Sequence, residues 1–304
     1  MSGISKVSTI TACYHKGKYL PEFLKELPHQ TYFPDLEIVF DHNEPTTEEL
    51  SLIDTFQKNY PGHIHHIITN PVQPLGVSWN RCLRESSGEY LTIWNIDDLR
   101  SPPSIEIQAH FLDDNPTIDI VGGNFYIVPS FPSKLGTFID EARYPVEEMT
   151  KSMKLGPFFM FRKKLCEKAG YFDEQFRCAN DFDLAMRLVH HGNAHILKDN
   201  LGYFLNEGAG ASTKKGSLCP VEKTVIELRY GIYDRIDYQF LPKALKYNIY
   251  NIRAGDDWIP VSDYIPDYEN LLETNFEKVS TRRFFMQFGT DIYRKLRELL
   301  KKNG

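Results

Sequence analysis

The chain alternates between short apolar segments and segments of helical periodicity over about its first 200 residues. Four of the apolar segments are typical of buried strands: Val7 to Tyr14, Leu36 to Asp41, His63 to Thr69 and Glu89 to Asn95. The intervening segments place their apolar residues on one helical face, as the leucines and the phenylalanine between residues 20 and 27 do. Alternation at this spacing predicts an α/β fold with a mostly parallel sheet flanked by helices.

Acidic side chains follow two of the predicted strands. Asp41 ends the second strand, and Asp97 and Asp98 come directly after the fourth. Right-handed crossovers bring the carboxyl ends of parallel strands to one edge of the sheet, where such sheets bind ligands. We therefore expect three carboxylates to share one ligand-binding edge.

Each of these acidic positions has two interpretations. Asp97 and Asp98 repel each other unless a cation or hydrogen-bond donors stand between them, and a hard divalent cation prefers such oxygen ligands. A solvated turn that caps a helix near Ser101 is the other interpretation of the pair. Asp41 is placed to accept a hydrogen bond from a base or a ribose, or else to form an Asx turn with the residues that follow it.

A third acidic feature opens a predicted helix further along the chain. Phe182, Ala185, Met186 and Val189 form its apolar face, so Asp181 falls in the first turn and off that face. A carboxylate at this end of a helix is stabilised by the helix dipole, which is the structural interpretation. The functional interpretation is a general base that faces an acceptor, with a pKa raised by burial.

Composition excludes several classes of protein. A formal net charge of -6 argues against a generic nucleic-acid binder, because the duplex backbone requires clustered Lys and Arg. Five cysteines without a CxxC pair argue against a zinc site or a disulfide framework and favour a reducing compartment. The N-terminus lacks a signal-peptide pattern, and no segment approaches the ~18 apolar residues of a spanning helix. We therefore expect a soluble, cytoplasmic protein.

The order of these features resembles the family 2 glycosyltransferases of the GT-A fold. The resemblance covers about residues 5–212. It runs through VSTITACYHKGKYL, EIVFDHNEPTTEE, NPVQPLGVSWNRCLRESSGEYLTIWNIDDL and FRKKLCEKAGYFDEQFRCANDFDLAMRLVHHG. The last segment is similar to the family's succession of an Arg, a Gly-Tyr-Phe-Asp-Glu, an acidic-Asp pair and a helix that contains Arg.

The resemblance implies a nucleotide-sugar donor, usually UDP-linked, that lies across the strand ends. The residues it assigns to the donor are Ala12, Tyr14, Asp41, Arg81, Asn95 and Asp97. Asp97 and Asp98 match the end of the family's DxD-type motif and would bind Mn²⁺ or Mg²⁺ at the diphosphate, and Asp181 matches the catalytic Asp. This chain departs from the family at Asn95, which replaces the first Asp of the motif, and at Asn180, which replaces the usual Glu before the catalytic Asp.

These implications predict an inverting, metal-assisted transfer of one sugar to a hydroxyl of a glycan or lipid-linked glycan, as in polysaccharide biosynthesis. Asp181 would be the general base. The alternative is a catalytically silent nucleotide- or glycan-binding module of the same fold, which Asn95 and Asn180 favour. A nucleotidyltransferase that forms sugar nucleotides fits less well, because the segment CYHKGKYL carries the single glycine Gly17 where that class has a glycine-rich loop.

The pattern changes near residue 215. We expect a catalytic, nucleotide-sugar-binding domain over residues 1–215 and a helical region over 216–304, with long helices at 222–250 and 265–302. Residues 281–302 combine basic side chains with one apolar helical face. A helix of this kind could lie peripherally on an anionic membrane, pack on the catalytic domain or pair with a second copy in a homodimer, and the pattern leaves these interpretations open.

Overall fold

A nine-stranded sheet forms the centre of the computed structural model, which describes residues 7–208, 210 and 212–278. Its strands are β1 (Val7–Cys13), β2 (Leu36–Asn43), β3 (Ile64–Thr69), β4 (Tyr90–Ile93), β5 (Leu99–Arg100), β6 (Ile120–Val128), β7 (Thr137–Ile139), β8 (Met160–Arg162) and β9 (Ala194–Leu205). The order across the sheet is β3-β2-β1-β4-β8-β6-β9-β5, and β7 pairs with β6. Strands β1 to β4 are mutually parallel, whereas β8 runs antiparallel to both of its neighbours.

Helices cover both faces of this sheet. They are α1 (Leu20–Glu26), α2 (Thr47–Asn59), α3 (Leu75–Glu85), α4 (Ser104–Asp114), α5 (Cys166–Ala169) and α6 (Asn180–His191). Side chains alternate along the strands, so in β2 Ile38 and Phe40 join a core with α1, α2 and α4, while Val39 joins the opposite core with α3 and α6. The predicted α/β class, with a mostly parallel sheet between helices, is confirmed.

Local sequence signals account for most of these elements. The four predicted strands are present, and their observed ends differ from the predicted ones by at most one residue at the N-terminal end and two at the C-terminal end. Helix α2 begins with a capping box, in which the backbone N–H of Glu49 donates to Thr46 Oγ1 (3.2 Å) and the N–H of Thr46 donates to Glu49 Oε2 (2.8 Å). Apolar faces and one reciprocal cap therefore suffice to place β1, β2 and the helices beside them.

The region after residue 215 is less helical than its sequence predicts. It contains α7 (Cys219–Arg229), α8 (Leu241–Ala244), a hairpin of β10 (Asn251–Ala254) and β11 (Asp257–Pro260), and α9 (Tyr268–Lys278). The predicted continuous helix over 222–250 is wrong, because α7 ends at Arg229 and Gly231 adopts a φ of 70°, outside the helical range. The basic segment 281–302 lies outside the described residues.

Side chains from both sides of residue 215 share one apolar core. Phe176, Phe182 and Met186 pack in the same cluster as residues of α7 and α9. The division of the chain at residue 215 stays a prediction, as does the cytoplasmic location. None of the helices in the described part of the chain combines the length and the apolar character needed to cross a bilayer.

Candidate active site

A cleft of about 920 Å³ opens where the parallel strands end. It is lined by six of the residues that the sequence singled out: Ala12, Tyr14, Asn95, Asp97, Asp98 and Asp181. The turn after β4 supplies three of these six, and the start of α6 supplies Asp181. The fold therefore gathers the predicted diphosphate site and the predicted base in one cleft, although the chain separates them by more than eighty residues.

Asp41 and Arg81, which the sequence also assigned to the donor, are not among the residues that line the cleft, and only Arg81 is partly exposed. Asp41 is fully buried and its carboxylate accepts hydrogen bonds from Thr69 Oγ1 (2.8 Å) and Asn43 Nδ2 (3.2 Å), and it forms an ion pair with Arg81. Burial raises the pKa of Asp41, although Thr69 and Arg81 act against this shift. Both oxygens of this carboxylate are thus engaged within the protein, and the group supports the cleft from below.

Asn43 and Ser78 are two nearly buried polar residues of the cleft lining next to Asp41. Asn43 Nδ2 donates to Ser78 Oγ (2.9 Å), and Asn43 Oδ1 accepts from the backbone N–H of Gln73 (2.8 Å). Sequence reasoning missed both residues. Asn43 ends β2 two residues after Asp41, so the strand end itself was the available signal, whereas Ser78 comes from α3 and meets it only in the fold.

The side chains of Asp97 and Asp98 diverge. Asp98 is nearly fully buried and accepts hydrogen bonds from the backbone N–H of Leu205 (3.0 Å) and from Asn95 Nδ2 (3.2 Å), neither of which carries a charge. Burial, reinforced by the neighbouring Asp97, raises the pKa of Asp98. Asp97 forms an ion pair with Lys16, from the loop after β1, which the sequence analysis did not identify.

This group of oxygen atoms fits a hard divalent cation. Two carboxylates and an amide share one turn at the cleft wall, and such oxygen sets suit Mg²⁺ or Mn²⁺. The raised pKa of Asp98 shows that its negative charge is incompletely balanced by the protein, which is the electrostatic condition a bound cation would relieve. Asn95, which replaces the first Asp of the family motif, donates a hydrogen bond to Asp98 and so orients that carboxylate.

Asp181 stands at the first turn of α6 and is half-buried. Its Oδ1 accepts a hydrogen bond from the backbone N–H of Phe182 (2.8 Å). Burial raises the pKa of Asp181 to about 6, and the nearby negative charge of Glu222 adds to the shift while the hydrogen bond from Phe182 opposes it. A carboxylate with this pKa is mostly ionised at neutral pH and yet more basic than a solvated Asp, which suits a general base.

Glu222 holds the loop that leads to Asp181, and sequence reasoning missed it. Its buried carboxylate accepts hydrogen bonds from the backbone N–H groups of Arg177 (2.8 Å), Cys178 (2.8 Å) and Ala179 (2.9 Å). A glutamate of α7 therefore binds the donors that precede α6, over a distance of more than forty residues in sequence. This arrangement fixes the base relative to the wall that α7 forms.

A disulfide ties the same loop to α7. Cys178 and Cys219 are joined, with their Cα atoms 5.3 Å apart. The expectation from the sequence that the cysteines form no disulfide is therefore wrong. The two partners lie 41 residues apart and meet only because α6 and α7 pack together, so no short cysteine motif could have shown the pair.

Buried ion pairs fix α6 from behind. Asp183 binds Arg187 (2.9 Å) on its own helix and Arg229 (2.7 Å) at the end of α7, and Arg229 also binds Asp173 (2.9 Å). Although burial acts to raise it, Arg229 and Arg187 hold the pKa of Asp183 below its ordinary value. Asp183 is thus permanently charged and structural, which leaves Asp181 as the acidic residue of this turn that faces the cleft.

Asn180 has a structural use that explains one departure from the family pattern. It is fully buried, and its Nδ2 donates to the backbone oxygen of Asp173 (2.8 Å). A Cβ atom on Gly76 would lie 2.6 Å from the same nitrogen, so the start of α3 passes close to this side chain. Because Asn180 points into the protein, its identity carries no sign of a lost catalytic group.

Comparison with known proteins shows the family to which this chain belongs. The model of the family described as Glycosyl transferase family 2 matches residues 8–170. The uncharacterized glycosyltransferase MJ1057 of Methanocaldococcus jannaschii is 26% identical over 191 residues, which are 60% of this chain and 64% of that protein. Poly(ribitol-phosphate) beta-N-acetylglucosaminyltransferase TarS of Staphylococcus aureus is 23% identical over 225 residues, 71% of this chain but 38% of TarS. The chain spans less than two thirds of either relative.

Solved structures share the fold at low sequence identity. A crystal structure of residues 1-349 of TarS in complex with UDP-GlcNAc superposes with a TM-score of 0.63 at 16% identity, over 98% of this chain and 92% of that one. The mannosyltransferase PcManGT from Pyrobaculum calidifontis, in complex with GDP-Man and Mn²⁺, gives a TM-score of 0.51 at 15% identity, over 90% and 73%. With a family match over more than half of its length and the corresponding α/β fold, this chain belongs to glycosyl transferase family 2.

Proposed function

We propose that this glycosyltransferase moves one sugar from a UDP-sugar to an acceptor hydroxyl with inversion at the anomeric carbon. One observation carries the proposal: Asp181, a half-buried carboxylate at the start of α6, shares a cleft with the acidic turn Asn95–Asp98. The UDP-GlcNAc complex of TarS, which has the same fold, supports the choice of donor.

The donor would lie across the ends of β1, β2 and β4. Ala12 and Tyr14 line the cleft at the end of β1, and Asn43 and Ser78 offer an amide and a hydroxyl to a base or ribose beside them. Asp41 and Arg81 would act through these groups, because the buried carboxylate of Asp41 binds Asn43 from below. The nucleoside would thus contact neutral donors and acceptors held in place by the buried carboxylate of Asp41 and its partly exposed partner Arg81.

Asp97 and Asp98 would hold Mn²⁺ or Mg²⁺ near the diphosphate, as the Mn²⁺ complex of PcManGT supports for a protein of this fold. When bound, the cation would supply positive charge that stabilises the departing diphosphate. Lys16, already paired with Asp97, brings a second positive charge to the same wall. Asn95 and the backbone N–H of Leu205 orient Asp98 for this task.

Asp181 would take the proton of the acceptor hydroxyl as its oxygen attacks the anomeric carbon. Direct displacement forms no covalent sugar–enzyme bond, so one base suffices. The backbone N–H of Phe182 holds Oδ1 of Asp181, which leaves the other oxygen for the acceptor. Glu222 and the disulfide fix the loop before it, so that the base stays aligned through the reaction.

The acceptor would enter between α6 and α7. That wall of the cleft carries Arg177, Lys223, Glu227, Arg235 and Phe240. Charged groups of both signs beside an aromatic ring suit a hydroxyl-rich molecule such as a glycan, which offers both hydrogen-bond donors and apolar ring faces. The region after residue 215 therefore supplies contacts to a glycan or lipid-linked glycan acceptor in this proposal.

Release of UDP from a panel of UDP-sugars, with and without Mn²⁺, tests this function. We expect Mn²⁺-dependent release that Asp98→Asn removes, while Asp199→Asn, at an exposed position on β9, behaves as the wild type. Binding of UDP and Mn²⁺ in calorimetry without any release of UDP, with or without glycan acceptors, would instead support the silent binding module. Equal release in the presence of excess EDTA would refute the metal-assisted reaction.

A further inference from the structure

Three different metal-binding side chains meet just below the nucleotide edge of the sheet. Cys13 is the last residue of β1, His42 lies opposite it in the parallel register of β2, and Glu49 belongs to the first turn of α2. Their exposed fractions are 1%, 0% and 6%. One sulfur, one ring nitrogen and one carboxylate oxygen from these residues all lie within 4.8 Å of one another.

The imidazole of His42 is satisfied on one side and unsatisfied on the other. Its Nδ1 lies 3.3 Å from Nε2 of His66, a hydrogen-bonding distance. Its Nε2 is buried and, among the residues that the structure describes, has no hydrogen-bond partner. Buried polar atoms in folded proteins are nearly always paired, so this nitrogen requires an explanation.

The spacing around this nitrogen fits a metal ligand better than a hydrogen bond. Nε2 of His42 lies 3.6 Å from Oε2 of Glu49, beyond hydrogen-bonding distance. Metal–nitrogen and metal–oxygen bonds of about 2.0–2.2 Å place two ligands of a tetrahedral zinc ion about 3.3–3.5 Å apart. A small contraction would bring both atoms onto one ion.

The surroundings hold the ligands in place. The capping box binds Oε2 of Glu49 to the backbone N–H of Thr46, which fixes the carboxylate, and His66 fixes the ring of His42 in the manner of an outer-shell partner. Gly17 passes so close that a Cβ atom there would lie 2.8 Å from Oε1 of Glu49. The loop after β1 thus leaves room around the carboxylate only because residue 17 is glycine.

We propose that Cys13, His42 and Glu49 bind a Zn²⁺ ion that links β1, β2 and α2 beneath the donor site. A thiolate and a carboxylate balance the two positive charges, and the imidazole binds as a neutral ligand. A sulfur–nitrogen–oxygen set selects zinc over Mg²⁺ or Mn²⁺, which prefer oxygen ligands, so this site is chemically distinct from the acidic turn at Asp97 and Asp98. Cys13 and His42 are 29 residues apart along the chain and His42 and Glu49 are 7 apart, so no short sequence motif indicates the site.

Zinc content of the purified full chain tests the site. The protein is dialysed against zinc in the presence of excess Mg²⁺, which occupies sites made of oxygen ligands. It is then desalted to remove unbound metal, and its zinc content is measured by inductively coupled plasma mass spectrometry. We expect about one zinc per chain in the wild type and in Cys82→Ser, an equally buried cysteine outside the cluster. Cys13→Ser is expected to lose the metal.

Glu49→Gln provides a variant that keeps the local fold. Glutamine at this position still completes the capping box, so α2 retains its N-terminus while a charged ligand is lost. We expect its zinc affinity to fall at least tenfold, with an unchanged circular dichroism spectrum. If Cys13→Ser fails to fold, the zinc affinity of Glu49→Gln and the absorption spectrum of cobalt(II) bound to the wild type test the site instead.

Cobalt(II) reports directly on a thiolate ligand. Cobalt bound in place of zinc should give thiolate-to-metal charge-transfer absorption and the intense visible bands of a tetrahedral site, in the wild type and in Cys82→Ser alike. Wild-type protein without zinc, cobalt bound without a thiolate band, or zinc retained in Cys13→Ser would each overturn the proposal. In the last case the metal would be an adventitious ion on surface histidines.

Discussion

Replacing Asp181 with Asn is expected to stabilise the folded protein at neutral pH while removing the proposed base. Burial raises the pKa of Asp181 to about 6 from an ordinary value of 3.8. Each pKa unit corresponds to 1.36 kcal/mol, so holding this carboxylate ionised in the folded state costs on the order of 2–3 kcal/mol. Asn, which carries no charge at any pH, does not incur this cost.

The sign of the pH dependence follows from a folded-state pKa above the unfolded one. Below about pH 4 the carboxyl group is protonated in both states, so Asp181 and Asn should be nearly equivalent. Between about pH 4 and pH 6 the unfolded chain has already released the proton that the folded protein retains, and the penalty grows. Above about pH 6 the penalty is complete and constant.

Thermal unfolding between pH 4 and pH 8 checks this expectation. For a chain of 304 residues, 2–3 kcal/mol corresponds to a rise in Tm of about 3–5 °C above pH 6, which should shrink towards zero at pH 4. Asp199→Asn, at an exposed position, should follow the wild type throughout. A lower Tm for Asp181→Asn at pH 7, or a gain that does not change with pH, would refute the argument that burial sets this pKa.

Three further predictions concern the surroundings of the base and the metal. Glu222→Gln removes a negative charge that raises the pKa of Asp181, so the acidic limb of the kcat/KM profile should move to lower pH, by less than about one unit because burial is the larger cause of the raised pKa. Tyr247→Phe removes only a neutral contact with Glu222 and should leave the acidic limb in place. A shift of the limb to higher pH in Glu222→Gln would contradict the assignment of Asp181 as the base. Chelation with EDTA should abolish turnover and Mn²⁺ should restore it, measured as UDP release, and full turnover in EDTA would exclude a metal role. Replacing Cys178 and Cys219 together by Ser opens a 41-residue loop and should lower the free energy of unfolding by up to about 4 kcal/mol in urea titrations, whereas an unchanged midpoint would show that the bond does not constrain the chain.

The fold could be predicted from the sequence because its signals are local. Alternating apolar residues, one capping box and helical faces mark β1 to β4 and the helices between them without reference to the rest of the chain. The same reasoning failed after residue 222, where apolar residues keep helical spacing but Gly231 takes a positive φ and ends the helix. Periodicity detects a face that can be buried, and it does not detect where the backbone turns away.

The candidate site could be predicted only in part. Asp97, Asp98 and Asp181 follow from strand ends, a helix start and the resemblance to a family, and the structure brings them into one cleft. The partners that tune them do not follow, because Lys16 pairs with Asp97 and Glu222 binds the loop before Asp181 only through tertiary packing. Lys16 and Asp97 are 81 residues apart in the sequence, and Glu222 and Cys178 are 44 residues apart, so no local sequence pattern indicates either contact.

Asp41 is a residue whose role the sequence predicted too specifically. Its position at a strand end predicts a direct contact with the donor, but polar groups from β3 and α3 converge on it in the fold. Thr69 and Arg81 satisfy the carboxylate, and Asn43, which is itself nearly buried and donates to Asp41, lines the cleft instead. A strand-end position therefore indicates which edge of the sheet binds a ligand better than it indicates which atom makes the contact.

Turnover of Asp181→Asn, measured beside donor affinity, shows whether Asp181 is the general base of the transfer. We expect calorimetry with UDP and Mn²⁺ to give a Kd close to the wild-type value, because the variant leaves the strand-end edge of the cleft unchanged. Transfer to the acceptor should fall by about 10²–10⁴-fold, the usual contribution of a positioned general base. Transfer at a near wild-type rate would remove Asp181 from the reaction and with it the proposed mechanism.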